Sequence, residues 1–74
     1  MKYTEGQYVI AGLAVQYWIP TNATTLRGAK MIASRTYQAV PGGKIEVAVV
    51  TGIAQQRFET VAIKRGFDAW TDAF

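Results

Sequence analysis

Two prolines bracket the one segment of this chain that has helical periodicity, and they set the order of its elements. Pro20 ends an apolar run that begins at Tyr8, because proline has no backbone N–H to donate to a strand ladder. Pro41, which two glycines follow, ends the helical pattern. Between the prolines, Thr24 or Thr25 is the expected helix N-cap, since a threonine hydroxyl can accept from the free N–H groups of the first turn. The order is therefore strand, helix and further strands.

The helix should reach about Gln38 and carry a single apolar stripe. Residues three and four positions apart lie on one face of a helix, so apolar residues at that spacing mark the side that packs on a sheet. The stripe consists of Leu26, Ala29, Ile32, Ala33 and Thr36, with Tyr37 at its border. We expect this stripe to face the sheet.

Strand-forming residues dominate on both sides of the helix. Residues 8–19 are rich in aromatic and β-branched side chains, which favour strands. Gly12, inside this run, indicates a bulge or a close approach of the backbone to another group. The first strand after the helix alternates in polarity and places Ile45, Val47 and Val49 inward.

The next strand, over residues 57–64, has an ambiguous buried face. Phe58 differs in parity from Val61 and Ile63, and side chains of opposite parity point to opposite faces of a strand. A β-bulge, which inserts one extra residue into one of two paired strands, would resolve the conflict.

A tight turn at Gly66, where a positive φ angle is tolerated, should lead to a short final strand over residues 68–71. Trp70 in that strand is expected to cover the helix or the edge of the sheet. The predicted fold class is α+β. It comprises an antiparallel sheet of about four strands with one α-helix packed on one face, in the order β-α-β-β-β. We expect a single domain over residues 1–74.

Composition excludes the commonest catalytic chemistries. The chain has no cysteine and no histidine, which rules out disulfides, Cys–His and Ser–His–Asp catalysis and the usual zinc sites. Its five carboxylates show no spacing typical of an acid–base pair or a metal site, and no glycine motif for phosphate binding is present. We expect no enzymatic activity, no cofactor, no metal ion and no small-molecule substrate.

The longest apolar run is too short for a membrane span. Residues 8–19 fall well below the about 20 apolar residues that a transmembrane helix needs. Acidic and polar residues precede the run, unlike the basic start of a signal peptide. We expect a cytoplasmic protein with no membrane partner.

The whole excess of positive charge lies in the helical segment. The formal net charge is +3, and residues 21–40 hold three cations and no acid. At about 100° per residue, the side away from the apolar stripe carries Arg27, Lys30, Ser34, Arg35 and Gln38, with Met31 among them. A flexible, polarizable methionine ringed by cations fits a contact anchor. The alternative is a solvated face with one stray apolar residue.

Eight residues are the candidates for binding a partner. They are Arg27, Lys30, Met31, Ser34 and Arg35 from the helix, with Gln55, Gln56 and Arg57 from the loop between strands. Their roles would be charge-assisted hydrogen bonds to acidic or polar groups, with the methionine as the apolar anchor.

Besides binding a protein partner through these residues, two further functions fit the same composition. In the first, a small nucleic-acid-binding regulator, the helix cations contact phosphates and aromatic rings stack on bases, although only Tyr37 lies next to the basic face. In the second, the protein is a minor subunit of a larger assembly, in which Tyr3, Tyr8, Phe67 and Phe74 would be buried against other chains.

Two stretches of the chain resemble small phage and prophage proteins. Residues 24–35 read TTLRGAKMIASR, and residues 68–72 read DAWTD. In those proteins a strand leads into a Thr/Ser-capped helix with an Ala-Lys-x-x-Ala core, followed by a β-meander that ends in a Trp-Asp-type sequence. The group includes anti-CRISPR proteins that act on type I CRISPR–Cas systems, and the resemblance covers most of the chain.

The resemblance implies an inhibitor without enzymatic activity that works in the bacterial host cell. Such proteins bind the RNA-guided surveillance complex (Cascade), often on its repeated backbone subunits, and block the binding of target DNA. Many are acidic and mimic DNA, whereas this chain is basic. Direct occlusion of a protein surface is therefore the expected mechanism, and the basic helix face could also touch DNA, as the resemblance implies for basic members.

Overall fold

The structure, a computed structural model, describes residues 3–12, 18–37, 40–52 and 57–72. Within these residues the elements are β1 (Tyr8–Gly12), β2 (Ile19–Pro20), α1 (Leu26–Thr36), β3 (Lys44–Thr51), β4 (Arg57–Arg65) and β5 (Thr71–Asp72). The strands form one antiparallel sheet in the order β2-β1-β3-β4-β5, and α1 packs against β1 and β3. The predicted α+β class is confirmed, with a fifth strand because the run before the helix contributes both β1 and β2.

The helix begins directly after Thr25, one of the two threonines predicted as its N-cap. Thr25 has an extended backbone, and its Oγ1 accepts a hydrogen bond from Gly28 N at 3.0 Å. The last helical residue is Thr36, and Tyr37 leaves the helix in an extended conformation while its N–H donates to Ala33 O. The helix therefore ends before the predicted Gln38, which lies outside the described residues.

The apolar stripe of α1 faces the sheet as predicted. Ala29 and Ala33 are fully buried, and Leu26 and Ile32 pack around them. Two small alanines let the helix backbone lie close to the strands. Thr36 is an exception: it is exposed, and its hydroxyl donates to Ile32 O at 2.8 Å instead of entering the core.

Gly12 marks a close approach, one of its two predicted meanings. The ring of Tyr37, itself buried, lies directly on the backbone of β1 at this glycine. Tyr37, the residue directly after α1, is thus packed onto the end of β1.

A β-bulge in β4 resolves the conflict of parity. The register between β3 and β4 shifts at Val47/Ala48, which leaves Val61 as an extra residue of β4. Val61 and its neighbour Ala62 therefore both join the core under α1, whereas Phe58 packs on the opposite face. Of the β3 residues predicted to point inward, Ile45 and Val47 are buried and Val49 is partly buried.

The face of the sheet away from α1 has a smaller core of its own. Val9, Ala48 and Val50 are buried there beneath Tyr3, Trp18 and Phe58. The Phe58 ring stacks on Trp18 at 5.6 Å between centroids and meets Tyr3 edge-on at 5.1 Å. The Tyr3 hydroxyl donates to Trp18 O at 2.8 Å. Three aromatic side chains thus cover the buried residues of this face, as α1 covers those of the other face.

The end of the chain departs from prediction in its boundaries. Gly66 adopts the predicted positive φ, +53°, but the last strand is Thr71–Asp72 rather than residues 68–71. Asp68 N donates to Arg65 O, so residues 65–68 close a turn and leave two residues to pair with β4. Arg57 is the first residue of β4, as predicted for the strand over residues 57–64, and so does not belong to the loop in which the partner-binding assignment placed it.

Candidate partner-binding groove

Five of the eight predicted partner-binding residues line a single groove on the outer side of the helix. This groove, called here the α1 groove, has a volume of about 410 Å³ and is lined by Arg27, Lys30, Met31, Ser34, Arg35 and Trp70. Gln55 and Gln56 lie outside the described residues, and Arg57 does not line the groove. The helical part of the predicted site is thus brought together.

Helical spacing explains the grouping on α1. Arg27, Met31 and Arg35 are four residues apart, so they follow one another along the same side of the helix. Met31 is 49% exposed. The core holds the alanine stripe on the other side of the helix, which directs this row of side chains outward.

Trp70 is the groove residue that the sequence did not assign to binding. It precedes β5, and the pairing of Thr71 with Ile63 of β4 brings it beside the helix. Trp70 is partly buried, packing against the core under α1 while also lining the groove. Of its two predicted positions, over the helix or over the edge of the sheet, it takes the one beside the helix, and its presence means that Met31 is not a solitary apolar residue.

Asp72 is the second residue that sequence reasoning left out of the site. Its Oδ1 accepts a hydrogen bond from Lys30 Nζ at 2.6 Å, with the two side chains 53% and 22% exposed. One of the three cations of the helical segment is therefore neutralised by an acid more than 40 positions away in sequence. The guanidinium groups of Arg27 and Arg35 make no hydrogen bond or ion pair within the described part of the chain.

The groove combines two kinds of chemistry in one place. Arg27 and Arg35 offer guanidinium groups that can bind a carboxylate or phosphate through two parallel hydrogen bonds. Met31 and Trp70 offer an apolar, deformable surface. The groove suits a ligand that presents acidic and apolar groups side by side.

Of the aromatic residues named for the two rival functions, three are packed inside the described chain, one is exposed as the assembly hypothesis expects, and one lies outside the described residues. Tyr37, expected next to the basic face, is 6% exposed in the core and is not available to stack on a base. Tyr3 and Tyr8, considered for burial against other chains, pack within this chain. Phe67 is exposed, and Phe74 lies outside the described residues.

A second concavity lies between α1 and β2, and hydrogen bonds made by residues that line it stabilise the fold. It has a volume of about 540 Å³, and the side chains lining it carry no charge. Its polar groups bond internally: Gln7 Nε2 donates to Thr21 O, and Thr21 Oγ1 donates to Tyr8 O. These bonds hold the entry to the helix against β1.

Comparisons of the chain with protein-family models, with curated proteins and with solved structures found no match. Among the described residues, no helix is long and apolar enough to cross a membrane. The groove's own chemistry is then the basis on which a function can be assigned.

Proposed function

We propose that this protein is a non-enzymatic inhibitor that uses the α1 groove to bind an acidic, partly apolar surface of a larger assembly. The observation that carries the proposal is the convergence of Arg27, Arg35, Met31 and Trp70 on one exposed groove. Tryptophan and arginine are the residues that most often dominate the energy of a protein interface. Arginine also matches a carboxylate geometrically, which gives such a contact direction as well as strength.

The assembly is the type I CRISPR–Cas surveillance complex (Cascade), bound on its backbone subunits in the bacterial cytoplasm. Residues 24–35 and 68–72 carry the resemblance to small phage anti-CRISPR proteins. The same two stretches supply the lining of the α1 groove. Distant parts of the sequence that share a resemblance therefore share one surface, which supports a common binding role.

The mechanism is occlusion of a protein surface that target DNA needs. The chain has a net charge of +3, and Arg27 and Arg35 face outward, so it is a poor mimic of the phosphate backbone of DNA. A protein–protein interface of ordinary size takes about 800 Å² from each partner. That area is about a sixth of the 4976 Å² surface of this chain, so neighbours of the groove must contribute to the contact.

Capture by purified type I surveillance complexes of several subtypes, followed by a target-DNA shift assay, tests the proposal. The full chain should bind one complex and abolish its DNA binding. Arg27→Glu and Arg35→Glu should each weaken capture by about tenfold or more, as expected for charged residues at the centre of an interface. Lys30 is left unchanged, because reversing it would place two carboxylates together at Asp72.

Arg65→Glu is the matched control, with the same change of charge at an exposed residue that lies outside the groove and is not one of the eight candidates. It should leave capture within about twofold, since exposed charges away from an interface act mainly through long-range, salt-screened attraction. Equal losses from Arg27→Glu and Arg65→Glu would exclude the α1 groove as the contact surface. Failure to bind any complex would exclude the surveillance complex as the partner.

A nucleic-acid-binding regulator is the second candidate. The observation in its favour is that two free arginines lie beside an indole in one groove, which could hold phosphates and stack a base. Asp72, bonded to Lys30, places a carboxylate next to the groove and opposes a phosphate there. Nanomolar binding of duplex DNA by the protein alone, weakened by Arg27→Glu, would favour this candidate over the first.

A further inference from the structure

A third concave surface lies where two turns meet at one end of the sheet. This surface, called here the turn cleft, has a volume of about 390 Å³ and includes Gly42, Gly43, Lys44, Arg65, Gly66 and Phe67 in its lining. It shares no residue with the α1 groove. One turn precedes β3 and the other follows β4, so the paired strands hold the two turns side by side.

The cleft is held in shape by backbone hydrogen bonds. Gly66 N donates to Gly43 O at 2.8 Å and joins the two turns, while Gly43 N donates to Val40 O at 3.0 Å within the first. Gly42 and Gly66 have φ angles of +76° and +53°, values that glycine adopts without strain. These bonds and angles fix the walls before any ligand arrives, and the three glycines contribute no side chains that would fill the cleft.

Two cations stand directly opposite each other at the cleft. Lys44 and Arg65 are cross-strand partners in the register of β3 and β4, and like charges in that position repel. Lys44 Nζ has only a long contact to Glu46 Oε2, at 3.8 Å. The Arg65 guanidinium has no hydrogen bond or ion pair within the described residues. A bound anion would relieve this repulsion.

An exposed aromatic ring adjoins the cations. Phe67 is 69% exposed, the most exposed large apolar side chain in the described part of the chain. It lines the same cleft as Lys44 and Arg65. A ring beside two cations is the arrangement by which proteins hold single-stranded nucleic acid, with the base on the ring and the phosphate on the cations.

We propose that the turn cleft binds one nucleotide unit of a single-stranded nucleic acid. Lys44 and Arg65 hold the phosphate, and Phe67 stacks on the base. Asp68, the one acid among the described residues of the lining, opposes a second phosphate, and Lys64 is occupied by a hydrogen bond to the backbone oxygen Asp68 O at 3.0 Å. The exposed ring favours a nucleotide over an acidic peptide, because a peptide carboxylate leaves the ring uncovered. This site is independent of the proposed function.

Nuclear magnetic resonance of the full chain tests the site with three probes. They are a single strand of ten thymidine nucleotides (dT10), inorganic phosphate and a ten-residue glutamate peptide. We expect dT10 to shift the amide signals of Gly42, Gly43, Gly66 and Phe67. Inorganic phosphate should shift the glycines and leave Phe67 unchanged, which separates a phosphate contact from base stacking. Shifts by dT10 confined to α1, stronger shifts by the glutamate peptide, or no shifts at these residues would each overturn the proposal.

Variants separate the charges from the ring. The double variant Lys44→Gln/Arg65→Gln should make the negative slope of log K against log salt for dT10 shallower by roughly 0.7, the value for one phosphate on a single strand. Phe67→Ala should weaken dT10 binding by about tenfold and leave that slope unchanged. Arg57→Gln, at an exposed cation outside the cleft, should change neither quantity.

Both sets of variants should fold, because the first removes a repulsion and the second an exposed ring. An unchanged salt slope in the double variant, or unchanged affinity in Phe67→Ala, would overturn the assignment of these residues. Capture of the surveillance complex should persist in both, so a failure here is distinguishable from a failure of the α1 groove.

Discussion

Gly12 lies beneath the ring of Tyr37, and no other residue fits there without displacing it. A Cβ atom at this glycine would stand 2.8 Å from Tyr37 Cγ and 2.9 Å from Cδ2, inside the distance that real Cβ atoms keep. Alanine normally suits a strand better than glycine does, because it loses less backbone entropy on folding. The contact with Tyr37 should reverse that preference at Gly12.

We predict that Gly12→Ala lowers the free energy of unfolding by about 1–3 kcal/mol, the usual cost of overpacking a core. Urea unfolding followed by circular dichroism measures it. A variant as stable as the parent chain would mean that the ring of Tyr37 moves aside without cost, and that the close approach does not constrain this position.

The helix N-cap distinguishes two adjacent threonines. Thr25 Oγ1 accepts from Gly28 N at 3.0 Å, whereas Thr24 makes no hydrogen bond through its side chain within the described residues. We predict that Thr25→Ala costs about 1 kcal/mol of unfolding free energy. Thr24→Ala, the matched control, should stay within about 0.5 kcal/mol of the parent chain, as exposed substitutions usually do. Equal effects in the two variants would contradict the assignment of the cap.

One of the two shortest strands, β5, is joined to the helix by an ion pair. Within the described residues, β5 pairs with only Ala62 and Ile63 of β4, and Lys30–Asp72 links it to α1. Exposed ion pairs contribute about 0–1 kcal/mol, so Asp72→Asn should change global stability little. It should raise hydrogen exchange at the β4–β5 amides several-fold, because a two-residue strand has few other contacts that hold it closed.

Glu46→Gln is the control for that prediction. Its partner Lys44 is 3.8 Å away on the same strand, and β3 is held by neighbours on both sides. Exchange at the β4–β5 amides should remain as in the parent chain. If both variants raise exchange alike, the effect comes from loss of charge in general and not from the link between α1 and β5.

Elements with strong local signals were predictable, and those made by pairing were not. The helix has a cap, an alanine stripe and a terminating Pro41, all within about 20 residues. β2 and β5 have two residues each, too few for a pattern, and they exist because a neighbouring strand accepts them. The bulge was expected from the parity of Phe58, but its position at Val61 depends on the register with β3.

At the scale of the whole molecule, the candidate site likewise combines residues that the local sequence predicts with residues that only strand pairing brings in. Helical spacing alone groups Arg27, Met31 and Arg35. Trp70 and Asp72 reach the groove through the pairing of β4 with β5, and no periodicity in the sequence encodes a contact over some 40 positions. The apparent charge of the helix face was therefore overestimated, since Lys30 meets an acid that the local sequence does not contain.

Two phenylalanines that the sequence alone does not distinguish have different environments in the folded protein. Phe58 packs between Tyr3 and Trp18 over the second core, whereas Phe67 is 69% exposed on a turn. A chain of this length has roughly 4–11 kcal/mol of stability in total. Phe58→Ala should lose about 2–4 kcal/mol of it, and Phe67→Ala should lose less than about 0.5 kcal/mol.

Thermal and urea unfolding of the two variants under identical conditions measures both values. The comparison is matched in residue type and in the atoms removed, so a difference reports the environment of each ring. Similar losses would mean that the aromatic layer on the second face adds no more stability than a turn residue does. A large loss for Phe58 alone would show that this small chain depends on both faces of its sheet, which leaves Phe67 free to serve binding.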